Sequence, residues 1–157
     1  TFPDVNSSGN YGGTVYDYQN GAGNNGNMLY GPPKAFNGVV VEESDCWWSI
    51  FGANAHPSWL SVGFGTQTTI TRYTLKCSPT YPTYMCTNWK LQGSNDSLIE
   101  AGSTWTDIDI STNIWSVSNL TFTKEVYANY RYYRIRAESI PQSYLIIGEF
   151  ELYGPQV

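Results

Sequence analysis

Aromatic and amide side chains, rather than charged ones, carry the recognition chemistry of this sequence. It holds 13 tyrosines and 6 tryptophans against 8 lysines and arginines together. Such rings have an apolar face and a polar edge, and amides both donate and accept, so the combination suits a neutral, hydroxyl-rich partner. The single histidine, His56, adds a ring that can donate or accept near neutral pH; the plainer alternative is a surface-loop histidine before Pro57. Catalytic chemistry is harder to assemble. His56 has no evident carboxylate and serine partners, and Asp107 and Asp109 fall at alternate, strand-like positions expected on a surface edge. Nothing selects a nucleophile with its base or a two-carboxylate pair, so no enzyme is expected.

Three cysteines, Cys46, Cys77 and Cys86, show no zinc-like spacing, and with one histidine a structural zinc site is not expected. Cys77 and Cys86 bracket Ser-Pro-Thr-Tyr-Pro-Thr-Tyr-Met, a short loop that a disulfide would pin in an oxidising compartment. Cys46 is then left over, either buried beside Trp47 or competing for one of the other thiols. The net charge of −5 presents the wrong sign to a phosphate backbone or an anionic lipid surface, so neither nucleic acid nor membrane insertion is expected. No apolar run reaches membrane-spanning length. The sequence begins without methionine and is expected to be a processed piece of a larger, secreted or surface-displayed polypeptide.

A β-scaffold must position these residues. From residue 58 onward, short stretches of period-two alternation recur between turn signals, the pattern of an all-β sandwich or barrel. Leu60, Val62 and Phe64 share one face, Tyr73 and Leu75 continue it, and Trp89 and Leu91 repeat it. In Tyr133-Arg134-Ile135-Arg136-Ala137 the apolar residues point one way and both arginines the other. Residues 1–30, rich in Gly, Asn, Ser and Tyr, read as an irregular arm packed on one sandwich domain spanning 31–157. In the segment Tyr144 to Tyr153, Leu145 and Ile147 are out of phase with Phe150 and Leu152. An extra residue at Gly148 would make a bulge and re-aim Glu149, and an acid so placed invites a partner such as a cation.

Several phrases recur in a telling order over residues 30–154: Pro-Lys-Ala-Phe-Asn-Gly ending at Gly38, Trp47-Trp48-Ser49, Pro57 to Gly65 followed by Ile70, Asn88 to Asp96 with Trp105-Thr106, Tyr130 to Ile135, and Gly148 to Gly154. Together they resemble the coagulation factor 5/8 type C, or discoidin, superfamily, the galactose-binding-like group that includes carbohydrate-binding module family 32. The resemblance implies a discoidin-like jelly-roll β-sandwich of about eight antiparallel strands, with the ligand held by loops at one end rather than on a sheet face. It implies a lectin-like carbohydrate-binding domain for a neutral, galactose-type glycan. In such sites a ring stacks on the C–H face of a pyranose and polar side chains converge on its hydroxyls.

The loops that would meet at that end, residues 39–57, 78–87 and 140–144, hold or adjoin Trp47, Trp48, His56, Tyr81, Tyr84, Asn88 and Tyr144. One tryptophan of the pair belongs to the family's core. Trp48, followed by Ser49, is assigned there, which leaves Trp47 as the stacking ring. Relatives carry an arginine at the end of the strand corresponding to residues 70–77; here the nearest basic residues are Arg72 and Lys76, and Lys76 is taken as the contact. The family also holds a structural calcium near an Asp-Gly turn and the last strand. Here Asn37 stands in place of the aspartate, Glu42, Glu43 and Asp45 lie in the intervening loop, and Glu149 matches. The superfamily also includes lipid and protein binders. No basic cluster accompanies the aromatic loops, which disfavours a lipid surface; an adhesion or structural domain of a surface or virion protein is the alternative.

Overall fold

Two stretches rich in threonine, tyrosine and β-branched residues build the frame. They are β3 (Ser58–Lys76) and β6 (Thr121–Ser139), paired antiparallel from Ser58↔Ala137 to Lys76↔Thr121. The computed structural model describes residues 14–17, 32–36, 38–41, 45–48, 58–96, 104–139, 142 and 145–155. The β3–β6 ladder slips register between Gly63 and Thr68 and again between Ile70 and Arg72. Such irregularities bend a ladder, and here they let one pair of strands serve two layers. In the first layer β1 (Thr14–Asp17) flanks the early part of β3, β4 (Asn88–Ser94) flanks the late part of β6, and β5 (Thr106–Thr112) lies outside β4. In the second, β8 (Glu149–Tyr153) flanks the late part of β3. A small two-stranded sheet, β2 (Trp47–Trp48) with β7 (Ile146–Ile147), stands apart from this ladder.

The result is the all-β sandwich of antiparallel strands that the alternation requires. Leu60, Val62, Phe64, Tyr73, Leu75, Trp89, Leu91, Tyr133, Ile135 and Ala137 are all buried in one core. The layers meet through aromatic packing, with the Trp89 and Phe122 rings 4.9 Å apart and edge-on. Where β3 and β6 double back, the Tyr133 hydroxyl accepts from the Tyr130 N–H (2.9 Å) and donates to the Thr68 carbonyl. The far strand ends gather at the opposite pole. Cys77 N–H donates to Leu120 O (3.0 Å), Thr87 N–H to Ser139 O (3.3 Å) and Asn113 N–H to Thr87 O (3.0 Å). Among the described residues no helix is long and apolar enough to cross a membrane.

Three expectations change. Thr14–Asp17, inside the stretch read as an irregular arm, is a regular strand, since Thr-Val-Tyr is good β sequence and β3 offers it an open edge. The phase break at Gly148 is not a bulge within one strand but the step from β7, paired with β2, to β8, paired with β3. Its N–H donates to Lys76 O at 2.8 Å. A Cβ there would stand 2.9 Å from that same oxygen and 2.9 Å from Val40 Cγ1, so the crossing needs glycine.

The third change concerns the cysteines: Cys77 and Cys86 are not bridged, and Cys46, Cys77 and Cys86 are all buried thiols outside any disulfide. The bracketed loop has other anchors. Tyr81 N–H donates to Ser78 Oγ (3.2 Å), Tyr84 N–H to Tyr81 O (3.1 Å), and Met85 and Cys86 sink into the core. Cys86 is held there, its carbonyl accepting from Trp115 Nε1 at 2.8 Å, while Cys77 is fixed at the end of β3. Burial pushes the thiols up to about 12 for Cys46, about 11 for Cys77 and about 12 for Cys86. Thiolate is the reactive form, so a disulfide-exchange reagent at neutral pH is expected to label none of the three in the folded protein and all three in denaturant. Rapid labelling of the native chain would contradict the buried placement.

Candidate functional site

At the pole where the strand ends gather, the aromatic residues form a continuous edge. Trp48 is half-buried and meets Tyr81 edge-on at 6.0 Å; Tyr81 meets Tyr84 at 5.4 Å. Such tilted contacts fix ring planes relative to one another. The tyrosines ride on a single 3-10 turn, Pro82–Tyr84, whose proline presets the backbone at its start. The turn continues into buried Met85 and Cys86, so the platform is rigid before any ligand arrives.

The two tryptophans exchange the roles expected of them. Trp47 is 1 % exposed and belongs to the core, whereas Trp48 reaches the rim. The cause is the β2–β7 ladder: Trp47 stands opposite Ile147, a core residue, and alternation turns the next side chain outward. Trp47 is therefore not the stacking ring.

Beside the turn lies a hollow of about 300 Å³ lined by Pro82, Thr83, Met85, Thr87, Ile114, Trp115 and Gln142. Asn88, exposed at the start of β4, stands next to it and donates to Thr87 Oγ1 at 3.4 Å. Sequence reading missed the loop 113–120 altogether. Its signal was there: Ile114 and Val117 are apolar residues between turn formers, and they are 83 % and 76 % exposed. Lys76 does not stand free for a ligand. Its ammonium pairs with Glu151 at 3.4 Å and it lines a different hollow, of about 250 Å³, with Gly38, Val40 and Pro79. His56 and Tyr144 lie outside the described residues.

The expected cation site lies by β8. Glu149 is fully buried; its Oε1 accepts from Gly38 N–H at 2.9 Å, while Oε2 has no hydrogen-bond partner among the described residues. Burial, followed by the nearby Glu151 charge, pushes this carboxyl up to about 8, against the pull of the Gly38 and Val39 N–H groups and of Lys76. Asp45 Oδ2 accepts from Val41 N–H at 3.1 Å, closing the same loop on itself. Asn37 lies outside the described residues. Among the described residues no group of three or more His, Cys, Asp or Glu is placed to hold a metal. The orphaned Oε2, with backbone carbonyls in the same loop, nonetheless fits a hard cation that takes oxygen ligands.

Asp107 and Asp109 are committed to structure. Asp109 binds the Tyr73 and Ser111 hydroxyls, each at 2.6 Å, and Lys124; Asp107 binds Gln92 Nε2 at 2.7 Å and Lys90 at 3.3 Å.

A family model described as "NedA-like, galactose-binding domain", of the F5/8 type C group, matches residues 34–135, well over half of the chain. The chain belongs to this family. Several solved structures of carbohydrate-binding modules share the galactose-binding-domain fold. The family 32 module of C. perfringens NanJ, solved with galactose, superposes with a TM-score of 0.72 at 16% identity, over 98% of this chain and 99% of that one. Chitosan-binding module 2 of a chitosanase/glucanase from Paenibacillus sp. IK-5, solved with chitotriose, gives 0.69 at 21% identity, over 91% of this chain and 97% of that one. The CBM32-1 and CBM32-2 domains of Clostridium perfringens ZmpB, solved with GalNAc, give 0.69 at 15% identity, over 91% of this chain and 34% of that one. No curated protein matches the chain.

Proposed function

We propose that this galactose-binding-like domain is a non-catalytic carbohydrate-binding module that holds a neutral glycan at its loop pole. The observation that carries the reading is the edge of Trp48, Tyr81 and Tyr84 on a preformed turn beside a hollow of about 300 Å³. An aromatic shelf takes the C–H face of a pyranose, and Asn88, Thr87 and Gln142 supply the donors and acceptors that its hydroxyls need. The sugars in the relatives' structures, galactose, GalNAc and chitotriose, support this class of partner.

A binding rather than catalytic role is supported by the state of the acids. Asp107 and Asp109 are both held below the usual carboxylate range: in Asp107 chiefly by Gln92, and in Asp109 by Lys124, Ser111 and Tyr73 in spite of burial. Glu149, the carboxyl raised high enough to serve as an acid at neutral pH, is buried away from solvent. Calcium held by Asp45, Glu149 and loop carbonyls would neutralise the buried carboxylate and lock the loop 38–45 onto β8. We place the module outside the cell as part of a larger polypeptide, a setting supported by the similar domain within a Ruminococcus gnavus fucosidase, of which this chain covers 27%.

Calorimetric titration with galactose and with chitotriose tests the reading. Binding of either that Tyr81→Ala weakens roughly tenfold or more supports the shelf. Absence of binding across a glycan array, or a Tyr81→Ala variant as tight as its parent, refutes it. Chelation of calcium is expected to lower the midpoint of thermal unfolding by several degrees and calcium to restore it; an unchanged midpoint removes the metal from the account.

A further inference from the structure

The outward face of the first layer carries a group of side chains that neither the loop pole nor the core uses. Two rows stand in register across it: Trp59, Arg136, Lys90 and Ile110, then Ser61, Arg134, Gln92 and Asp107. The intervening Leu60, Ile135 and Leu91 point into the core, so strand alternation turns both rows to the opposite side, where Ser61 and Gln92 are buried and Trp59, Lys90, Arg134 and Arg136 are half-buried. The Arg134 guanidinium lies between two indoles, 4.1 Å from the Trp105 ring centre and 5.8 Å from that of Trp59. Its Nε donates to Gln92 Oε1 at 2.7 Å, and Gln92 Nε2 donates in turn to Asp107 Oδ1 at 2.7 Å. The fork is thereby oriented from one side. Among the described residues no carboxylate pairs with Arg134, because Asp107 is taken by Lys90 at 3.3 Å and Glu138 by Arg136 at 2.8 Å.

Burial and the Arg136 charge draw the Arg134 guanidinium down to about 10, against the pull of Glu138 and Asp107, which leaves it cationic at neutral pH. The distribution of charge agrees. Although the chain carries −5 overall, this face sets three basic residues, Lys90, Arg134 and Arg136, against two carboxylates, Asp107 and Glu138, which leaves the charge of Arg134 in excess. Screening over about 8 Å at physiological salt makes this local excess, rather than acids elsewhere on the chain, what an approaching group meets.

We propose that this face is a second ligand site, distinct from the loop pole, for an oxyanion carried on a sugar ring, the uronate carboxylate or sulfate ester of an acidic glycan. A planar guanidinium fork engages such a group through two parallel hydrogen bonds. The Trp59 and Trp105 rings offer the flat apolar surface that the C–H faces of the same or adjoining pyranoses require. Lys90, on the neighbouring strand, and Arg136, one row along β6, lie next to the fork, paired with Asp107 and Glu138. A stack that served only to hold Trp105 against β5 would not discriminate an anionic from a neutral glycan.

The test is titration with oligogalacturonate, with a sulfated oligosaccharide of similar length and with chitotriose, read by tryptophan fluorescence and by heat at low and at physiological salt. An acidic glycan is expected to bind, more weakly as salt rises. Arg134→Gln is expected to lose roughly tenfold or more in affinity, and Arg134→Lys, which keeps the charge but not the fork, to lose several-fold. Trp48→Ala, which removes the loop-pole shelf, is expected to leave acidic binding intact, so failure of one site is told apart from failure of the other. Binding of the uronate alone assigns a carboxylate, and binding of the sulfated sugar alone a sulfate ester. If neither acidic glycan binds, or if Arg134→Gln binds as tightly as its parent, the proposal falls. Should Arg134→Gln unfold by circular dichroism, unchanged affinity in both Arg134→Lys and Lys90→Gln overturns it equally.

Discussion

Alanine at Trp47 is expected to remove about 3–5 kcal/mol of folding stability, while alanine at the adjacent Trp48 leaves the fold nearly intact and weakens glycan binding. Trp47 is 1 % exposed and among the largest side chains in the core, so its truncation forfeits the transfer energy of an indole and leaves a cavity that the β2–β7 ladder cannot collapse. For a module of this size that cost is a large share of the total stability. Trp48 is half-buried, and its principal described ring contact is Tyr81 at 6.0 Å. Loss of that ring should weaken glycan affinity roughly tenfold or more, about 1.4 kcal/mol, with a small change in the unfolding midpoint. Thermal unfolding and glycan titration of both variants check the pair. If Trp48→Ala unfolds the chain while Trp47→Ala binds sugar normally, the assignment of core and shelf is reversed.

Removing the Asp109 carboxylate should be nearly as damaging, although the residue sits on the outermost strand of its layer. Its Oδ2 accepts from the Tyr73 and Ser111 hydroxyls, each at 2.6 Å, and Tyr73 in turn accepts from Trp89 Nε1 at 3.0 Å. Tyr73 and Trp89 are fully buried, so Asp109→Ala strands a buried hydroxyl and is expected to cost about 2–3 kcal/mol. Burial alone would raise the Asp109 carboxyl, but Lys124, Ser111 and Tyr73 outweigh it and hold it below its ordinary value. A carboxyl depressed in the folded state stabilises fully above the unfolded value of about 3.9, and that stability drains away as pH falls through the folded value. Urea unfolding between neutral pH and the acid limit should show this loss in the parent, less of it in Asp109→Asn, and little change from Asp107→Asn. Asp107 is exposed, its ion pair with Lys90 is screened, and a cost within about 1 kcal/mol is expected. A parent and an Asp109→Asn variant with the same acid limb would show that the network contributes nothing.

The core was legible because burial on one side of a strand leaves a period of two. Leu60 to Phe64, Trp89 with Leu91, and Tyr133 to Ala137 occupy the faces that alternation assigns them. What alternation does not reveal is continuity. The Gly- and Thr-rich stretch from Gly63 to Thr68 reads as a place where a strand ends, yet β3 passes through it by slipping register against β6. The Trp47 and Trp48 assignment failed for a related reason. In a strand of two residues the inward side is chosen by the partner, Ile147, and not by the neighbouring Ser49. The spacing of Cys77 and Cys86 told of a tight loop, which is present, but the directions of the two side chains depend on β3 and on Trp115, neither of which is local. The phase break at Gly148 was visible in the sequence; that it marks a change of sheet follows only from which strands lie alongside.

The doubling back of β3 and β6 has a consequence for how the molecule can be altered. Register is held along the ladder and at the Tyr133 clamp, at the far end from the connections 77–87 and 113–120. Insertions in the exposed parts of those connections, away from buried Cys77, Met85, Cys86 and Trp115, therefore face little beyond closure entropy, which grows by only about 0.6 kcal/mol for each doubling of length. Libraries randomised at positions 79–84, 114 and 116–118 should yield folded members with new specificities, whereas diversity at Trp115 or at 64–68 would unseat the core or the clamp and leave few survivors.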